Sequence, residues 1–303
     1  MKSMRTPVAL FIFNRLSTTK RVFEVIRQVK PKRLFVVADG ARPDRPGESE
    51  KCVATRAVIE QVDWDCQVLT NYSDINLGCG KRVSTGIDWI FSQVEEAIFL
   101  EDDCLPHPHF FNFCEELLER YRDETRITHI SGNYHLLGNR NISDYSYHFS
   151  RYPLVWGWAS WRRAWKHYDF NMTDFPELRD AGWLERYLSN KREAYVWAKN
   201  FQSVYSNGYT WDYQWIYSCW LQEGLSIHPN VNLVSNIGFS AEATHTQDIN
   251  NPWANLPTQS LELPLRHPPS IIRDALADRH LQNTQFDPSK LNRLKMKIRK
   301  VFA

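Results

Sequence analysis

The sequence predicts an α/β fold, with a Rossmann-like, mostly parallel sheet and helices on both of its faces. Two observations support this. Short apolar runs alternate with segments of helical periodicity through the first 135 residues, and several of the apolar runs end in polar residues. Strands separated by helices of this length are joined by right-handed crossovers, which make neighbouring strands parallel.

The strand signals are continuous apolar runs that are too short for helices. They fall at residues 8–13, 34–38, 66–71, 97–100 and 127–130. Between them, helices are predicted from Ser17 to about residue 29, and around residues 50–62 and 82–93. A fourth helix carries Phe110, Cys114, Leu117 and Tyr121 on one face.

The run at residues 97–100 ends in three consecutive carboxylates, Glu101, Asp102 and Asp103. Adjacent anions repel each other unless a counter-charge is present. Mg²⁺ and Mn²⁺ prefer oxygen ligands and commonly bridge one or two carboxylates to a substrate phosphate, which makes such an ion one source of that charge. The alternative is a solvated acidic loop. If the strand geometry continued through the run, Glu101 and Asp103 would point to one side and Asp102 to the other.

Polar residues also follow the first two predicted strands, at Arg15 and at Asp39. Ligands of parallel sheets bind beyond the carboxyl ends of the strands, so these residues and the acidic run are expected at one edge. Lys81 and Arg82, after a loop with two glycines, could contact a base or a diphosphate there, or be exposed cations at the start of a helix.

Composition narrows the class of protein. The 303 residues are 43% hydrophobic and 24% charged, with a net charge of +2, which is ordinary for a globular protein and gives no nucleic-acid signature. Six cysteines without a CxxC pair, and the absence of a long apolar run, predict a cytoplasmic protein with reduced thiols. Residues 290–303 form a basic amphipathic pattern. It predicts either a peripheral contact with the inner face of a membrane or a solvated tail.

Nine of the twelve tryptophans lie between Trp156 and Trp220. Aromatic rings stack on sugars but also fill cores, and most of these are expected to be packing residues. After Phe239 the chain becomes proline-rich and weakly periodic, which predicts an extended segment.

Several blocks of the chain, in order, resemble GT-A nucleotide-sugar glycosyltransferases. The resemblance is to the N-acetylglucosaminyltransferases that initiate hybrid N-glycans and their bacterial relatives, and it covers roughly residues 6–246. The blocks are Asn14-Arg15-Leu16-Ser17-Thr18, Val36-Val37-Ala38-Asp39-Gly40, Phe99-Leu100-Glu101-Asp102-Asp103, Trp156-Gly157-Trp158 and Trp211-Asp212-Tyr213-Gln214-Trp215.

The resemblance implies a nucleotide-binding half at residues 1–135 and a donor-sugar and acceptor half at 136–250. The composition predicts that residues 251–303 are a wrapping segment with its tail. The resemblance also implies that Arg15 helps to hold the nucleotide and that Asp39 contacts the base, which is uracil in the family. Asp103 would bind Mn²⁺ (or Mg²⁺), while Glu101 and Asp102 would orient the metal's waters, the ribose or the donor sugar.

The resemblance further implies that Trp156, Gly157 and Trp158 line the donor-sugar and acceptor pocket. Asp212 would be the catalytic base of an inverting reaction, although Tyr213 stands where the family has a second aspartate. The partners would be a nucleotide-sugar donor, UDP-linked as in the family, and a carbohydrate or lipid-linked glycan acceptor.

Some of these residues could instead have purely structural roles. Asp39 could simply form a turn with Gly40, and Asp212 could cap a helix, leaving Glu223 and Glu242 as reserve bases. The loop at residues 236–246 is a candidate lid, and His245 in it could ligate the metal or be structural.

Two other functions stay open at this point. A sugar nucleotidyltransferase would use a similar sheet and cation, but its glycine-rich loop after the first strand is missing here. A non-catalytic carbohydrate-binding or scaffold protein would suit the aromatic region, while the intact acidic run counts against it.

Overall fold

The structure is a computed structural model that describes residues 4–135, 144–239 and 251–288. The basic tail at residues 290–303, and Glu242 and His245 in the predicted lid, lie outside the described residues. The division of the chain at residues 135 and 250 stays a prediction.

Ten strands and ten α-helices form the described part of the chain. The strands are β1 (Val8–Ile12), β2 (Arg33–Ala38), β3 (Gln67–Tyr72), β4 (Glu96–Glu101), β5 (Cys104–Pro106), β6 (Ile127–Ser131), β7 (Tyr147–Ser150), β8 (Trp158–Trp161), β9 (Leu225–Pro229) and β10 (Val234–Asn236). The helices are α1 (Leu16–Val29), α2 (Glu48–Arg56), α3 (Cys79–Phe91), α4 (Pro108–Arg120), α5 (Arg162–Trp165), α6 (Phe175–Asp180), α7 (Trp183–Leu188), α8 (Lys191–Asn207), α9 (Asp212–Leu221) and α10 (Ala275–Leu281). A 3₁₀ turn (Ala57–Gln61) follows α2, and a π-helical turn (Gln282–Phe286) follows α10.

Eight strands make one sheet in the order β3-β2-β1-β4-β8-β6-β9-β7. Strand β1 is parallel to β2 and β4, β2 is parallel to β3, and β6 is parallel to β9, whereas β8 and β7 run against their neighbours. Six of the eight strands therefore share one direction. This confirms the predicted fold class, an α/β fold with a mostly parallel, Rossmann-like sheet.

The two faces of the sheet carry separate cores because side chains alternate along each strand. On β1, Val8, Leu10 and Ile12 pack with α1 and α4, while Ala9 and Phe11 pack with α3. The predicted helices on both faces are therefore present, and they leave the carboxyl ends of β1, β2 and β4 open.

Helices α6, α7, α8, α9 and α10 form a third core, which holds part of the aromatic region. Trp197 and Trp220 are fully buried there, with ring centroids 4.6 Å apart. Only Trp156 and Trp211, among the nine tryptophans of this region, line the large cavity described below. None of the helices in the described ranges has the length and apolar character needed to cross a bilayer.

Strands β5 and β10 form a small second sheet, which the sequence did not predict. They pair in antiparallel fashion, with Asn236 opposite Cys104. This pairing holds the segment after β10 against the acidic run. Residues 101–103 are called the acidic turn below.

Candidate functional site

A cavity of about 530 Å³, called the first cavity, opens at the carboxyl ends of β1, β2 and β4. It collects side chains that are far apart in sequence. The predicted site residues that line it are Arg15, Asp39, Arg82, Glu101, Asp102, Asp103, Trp156 and Asp212. Lining residues that the sequence reasoning missed include Arg42, Asn76, Cys79, Tyr209 and Thr210, whereas Asn236, which also lines the cavity, belongs to the candidate lid.

Arg15 binds two carboxylates of the acidic turn. Its Nη1 donates to Asp103 Oδ2 at 2.8 Å, and its Nη2 donates to Asp102 Oδ1. Arg15 directly precedes α1, where its carbonyl accepts a hydrogen bond from Thr19 N at 3.0 Å. The start of the helix thereby fixes the arginine over the turn, and the chain itself supplies part of the counter-charge.

One arginine does not balance the three acids. Burial, and then the neighbouring Asp103 charge, raise the pKa of Glu101 to about 8. Burial likewise raises the pKa of Asp102 to about 6, although Arg15 opposes the shift. The Asp212 charge adds to the shift of Glu101, so the two carboxylates share one electrostatic environment.

Strand β4 ends at Glu101, and the next two residues form a turn. The alternation expected for a continuing strand therefore does not hold, because Asp102 and Asp103 both reach Arg15. Asp102 also accepts a hydrogen bond from Phe13 N at 3.2 Å, which ties the turn to the end of β1.

Gly238 is a further site residue that the sequence did not single out. Ile237 N donates to the Asp103 carbonyl at 2.8 Å, so the chain passes directly over the acidic turn. A Cβ atom at Gly238 would lie 2.0 Å from Asp103 Oδ2. Only glycine leaves room for that carboxylate. The sequence feature that could have pointed to this residue is the presence of a glycine in the candidate lid.

Asp39 is held by backbone N–H groups. Its Oδ1 accepts from Leu77 N at 2.9 Å and from Gly40 N at 3.0 Å, and its Oδ2 accepts from Gly78 N at 3.0 Å. These contacts organise the loop between β3 and α3, which is distant from Asp39 in sequence. A contact with a nucleotide base stays a prediction.

Arg82 and Lys81 differ in their surroundings. Arg82 is buried, and its Nε donates to the Ala38 carbonyl at 3.1 Å while its Nη2 donates to Asn71 Oδ1 at 2.9 Å. It therefore joins the ends of β2 and β3 beneath the cavity. Lys81 is exposed and is not among the residues that line the first cavity.

Asp212 is the first residue of α9, and Trp211 takes the N-cap position. Its Oδ1 accepts hydrogen bonds from the Thr210 hydroxyl and, at 3.0 Å, from Tyr213 N. These contacts orient the carboxylate on the wall of the first cavity. Of the reserve bases, Glu223 follows α9 and is not a lining residue.

The Trp156-Gly157-Trp158 loop divides between cavity and core. Trp156 lines the first cavity. Trp158 is buried, and its ring stacks on Phe99 at 4.4 Å between centroids. Gly157 has φ of +68°, and a Cβ there would lie 2.7 Å from Val234, so it sets the bend that separates the two tryptophans.

The donor set of the acidic turn fits a divalent cation bound partly by substrate. No group of three or more His, Cys, Asp or Glu side chains within the described ranges is arranged to hold a metal ion. Mg²⁺-type sites in nucleotide enzymes, however, use one or two carboxylates together with phosphate oxygens. The carboxylate groups of Glu101, Asp102 and Asp103 lie together at the first cavity and match that chemistry.

Comparisons with known proteins give distant structural similarities. No family model matches the sequence, and no curated protein matches it. A mannosyltransferase from Pyrobaculum calidifontis, solved in complex with GDP-Man and Mn²⁺, is 14% identical with a TM-score of 0.39, over 55% of this chain and 47% of that one. HddC from Yersinia pseudotuberculosis is 9% identical with a TM-score of 0.32, over 54% of this chain and 80% of that one.

A UDP-glucose pyrophosphorylase complexed with UDP-glucose is 13% identical with a TM-score of 0.27, over 48% of this chain and 62% of that one. The chain thus spans about half the length of the mannosyltransferase to which it is similar.

Proposed function

We propose that this protein is a metal-dependent glycosyltransferase that moves a sugar from a nucleoside diphosphate sugar to an acceptor hydroxyl. The observation that carries the proposal is that the acidic turn, Arg15 and Asp212 line one cavity. This transfer requires groups that stabilise the charged diphosphate and a carboxylate that accepts a proton. The first cavity has candidates for both.

At the acidic turn, Asp103 would hold the metal ion together with diphosphate oxygens. A bound divalent cation supplies positive charge that stabilises the departing diphosphate. Arg15 would bind the same diphosphate, because its guanidinium is already placed beside Asp102 and Asp103.

Asp212 would act on the acceptor. Its carboxylate takes the proton of the acceptor hydroxyl while the hydroxyl oxygen bonds to the anomeric carbon. The bond between that carbon and the phosphate oxygen breaks at the same time, and the nucleoside diphosphate leaves. Thr210 and Tyr213 hold Oδ1 and so fix the direction of the carboxylate. A positioned base contributes roughly 10²–10⁴-fold to such a step.

We infer the class of acceptor from the aromatic residues of the first cavity. Trp156 and Tyr209 line it, and Tyr209 is 46% exposed. Aromatic faces of this kind stack on sugar rings, so we infer a carbohydrate or lipid-linked glycan acceptor. A nucleotidyltransferase is the weaker candidate, because the connection from β1 to α1 has no glycine.

The test is an incubation of the full chain with Mn²⁺ and a panel of nucleotide sugars. Slow, Mn²⁺-dependent release of nucleoside diphosphate supports the transferase. Formation of a nucleoside triphosphate on addition of pyrophosphate would instead identify a nucleotidyltransferase. Failure to bind or turn over any donor would contradict the proposal.

A further inference from the structure

A second cavity, of about 340 Å³, lies between the start of α8, α10 and the residue that follows β7. It shares no lining residue with the first cavity. Its charged lining residues are Arg151, Arg192, Arg273, Arg279, Glu193, Asp278 and Asp287. Four arginines face three carboxylates, so the cavity carries a surplus of positive charge when all of them are ionised.

Arg151 brings a buried donor to this cavity. The residue is 7% exposed, and its Nε lies 3.4 Å from Asp278 Oδ2. Its Nη1 is also buried but has no hydrogen-bond partner among the described residues. The carboxylate of Glu193 is 4.0 Å from that atom, which is beyond hydrogen-bonding distance.

Gln282 brings a second such donor. It is 6% exposed, and its Oε1 accepts a hydrogen bond from Trp197 Nε1 at 2.9 Å. An indole N–H only donates, so the oxygen of the amide is fixed on that side and the nitrogen must point elsewhere. That nitrogen, Nε2, is buried and finds no acceptor in the part of the chain that the structure describes.

Leaving a buried donor without an acceptor costs about 1–3 kcal/mol, so two at one cavity call for an explanation. We propose that the second cavity binds the phosphate group of a small phosphorylated molecule, with Arg151 Nη1 and Gln282 Nε2 as the inner donors. Arg273, 37% exposed in its side chain, lies at the rim, with its Nε 3.5 Å from Asp278 Oδ2, so Arg273 and Arg151 share one carboxylate.

Phosphate fits this arrangement for two reasons. A phosphate has several acceptor oxygens, so one group satisfies both donors, and a guanidinium pairs with it strongly. A cavity of about 340 Å³ also exceeds the space that a bare phosphate ion fills, which leaves room for an attached organic group. A buried water would satisfy the donors but would leave the surplus charge. This inference does not depend on the proposed transferase activity.

The experiment is calorimetric titration of the full chain with inorganic phosphate and with glucose 6-phosphate, in EDTA and at matched ionic strength. The informative variant is Gln282→Glu, which keeps an oxygen for Trp197 and replaces the free donor with an acceptor. We expect saturable binding that weakens at least tenfold in this variant. The control Arg126→Gln removes an exposed arginine that pairs with Glu124, outside both cavities, and should bind like the wild type.

If Gln282→Glu does not fold, Arg273→Gln takes its place, because this side chain lies at the rim. A third variant, Asp103→Asn, should retain the binding, since Asp103 lines only the first cavity. The absence of saturable binding, equal binding in the folded cavity variants, or loss of binding in Asp103→Asn would each overturn the proposal.

Discussion

Arg15 Nη1 lies 2.8 Å from Asp103 Oδ2, and the same guanidinium binds Asp102. The acidic run by itself predicts a counter-charge, and the structure shows that the chain provides one 88 residues earlier in the sequence. An ion and a diphosphate at this site would therefore have to share Asp103 with an arginine.

Replacing Arg15 with methionine should destabilise the protein when no divalent ion is present. The buried carboxylates of Asp102 and Asp103 lose their donor, at a cost of about 1–3 kcal/mol. Mn²⁺ should restore part of the loss, which thermal unfolding in EDTA and in Mn²⁺ would measure. Arg21→Met, at an exposed position of α1, is the control. An equal loss with and without Mn²⁺ would show that the ion does not use these carboxylates.

Asp103→Asn should weaken Mn²⁺-dependent binding of a nucleotide sugar at least tenfold, because the amide lacks the charge that holds the ion. Calorimetric titration of the donor, with and without Mn²⁺, measures this. Asp123→Asn alters an exposed aspartate after α4 and should leave the affinity unchanged. Unchanged, metal-dependent affinity in Asp103→Asn would remove Asp103 from the site.

Gly238→Ala should impair donor binding without any change of charge. The new methyl group would lie 2.0 Å from Asp103 Oδ2, so the carboxylate or the chain must move. Gly182→Ala is the matched control: its φ is +67° and the nearest atom to its Cβ is 3.5 Å away, so it should cost stability alone. Donor titrations of both variants separate these effects, and normal binding by Gly238→Ala would mean that Asp103 is not constrained there.

Asp212→Asn should bind the donor normally but lose at least tenfold in turnover, because it can no longer accept the acceptor's proton. Single-turnover measurements at saturating donor would show the loss. Glu223→Gln, at a reserve base that does not line the first cavity, should keep full activity. If the activities of the two variants were exchanged, Glu223 would be the base.

Buried histidines should make the fold sensitive to acid, and His129 tests this best. It accepts a hydrogen bond from Trp215 Nε1 at 3.1 Å, and its Nε2 lies 3.0 Å from the Leu154 carbonyl. Burial lowers the pKa of His129 to about 3. Because this pKa is depressed in the folded state, its stabilising effect is present above about pH 6.5 and is lost as the pH falls toward 3.

The measurement is urea unfolding of wild type and His129→Gln at several pH values between 7 and 5. Below pH 6.5 the free energy of unfolding should fall with decreasing pH in both proteins, but less steeply in the variant. The two slopes should differ by about 1.4 kcal/mol per pH unit, which corresponds to one proton. Acids with raised pKa values, such as Asp278, have the opposite effect on stability as the pH falls. Their contribution is the same in both proteins, so it cancels when the two slopes are compared. Identical slopes would mean that the pKa of His129 is the same in the folded and the unfolded protein.

Much of the framework was predictable from sequence because it depends on local periodicity. The predicted strands at residues 34–38 and 97–100 correspond to β2 and β4, each within two residues. The helix predicted around residues 50–62 ends at Arg56 and continues only as a 3₁₀ turn. The edge that gathers Arg15, Asp39 and the acidic turn follows from parallel strands alone, and the first cavity lies there.

Tertiary structure decided which of these side chains meet. The Arg15–Asp103 pair, the N–H groups around Asp39 and the approach of Gly238 all join segments that no local pattern connects. Trp156 and Trp158 are two residues apart and chemically alike, yet one lines the cavity and the other lies in the core. Hydrophobic periodicity fixes which face of a strand or helix is buried, whereas the partner of a given atom depends on how whole elements pack.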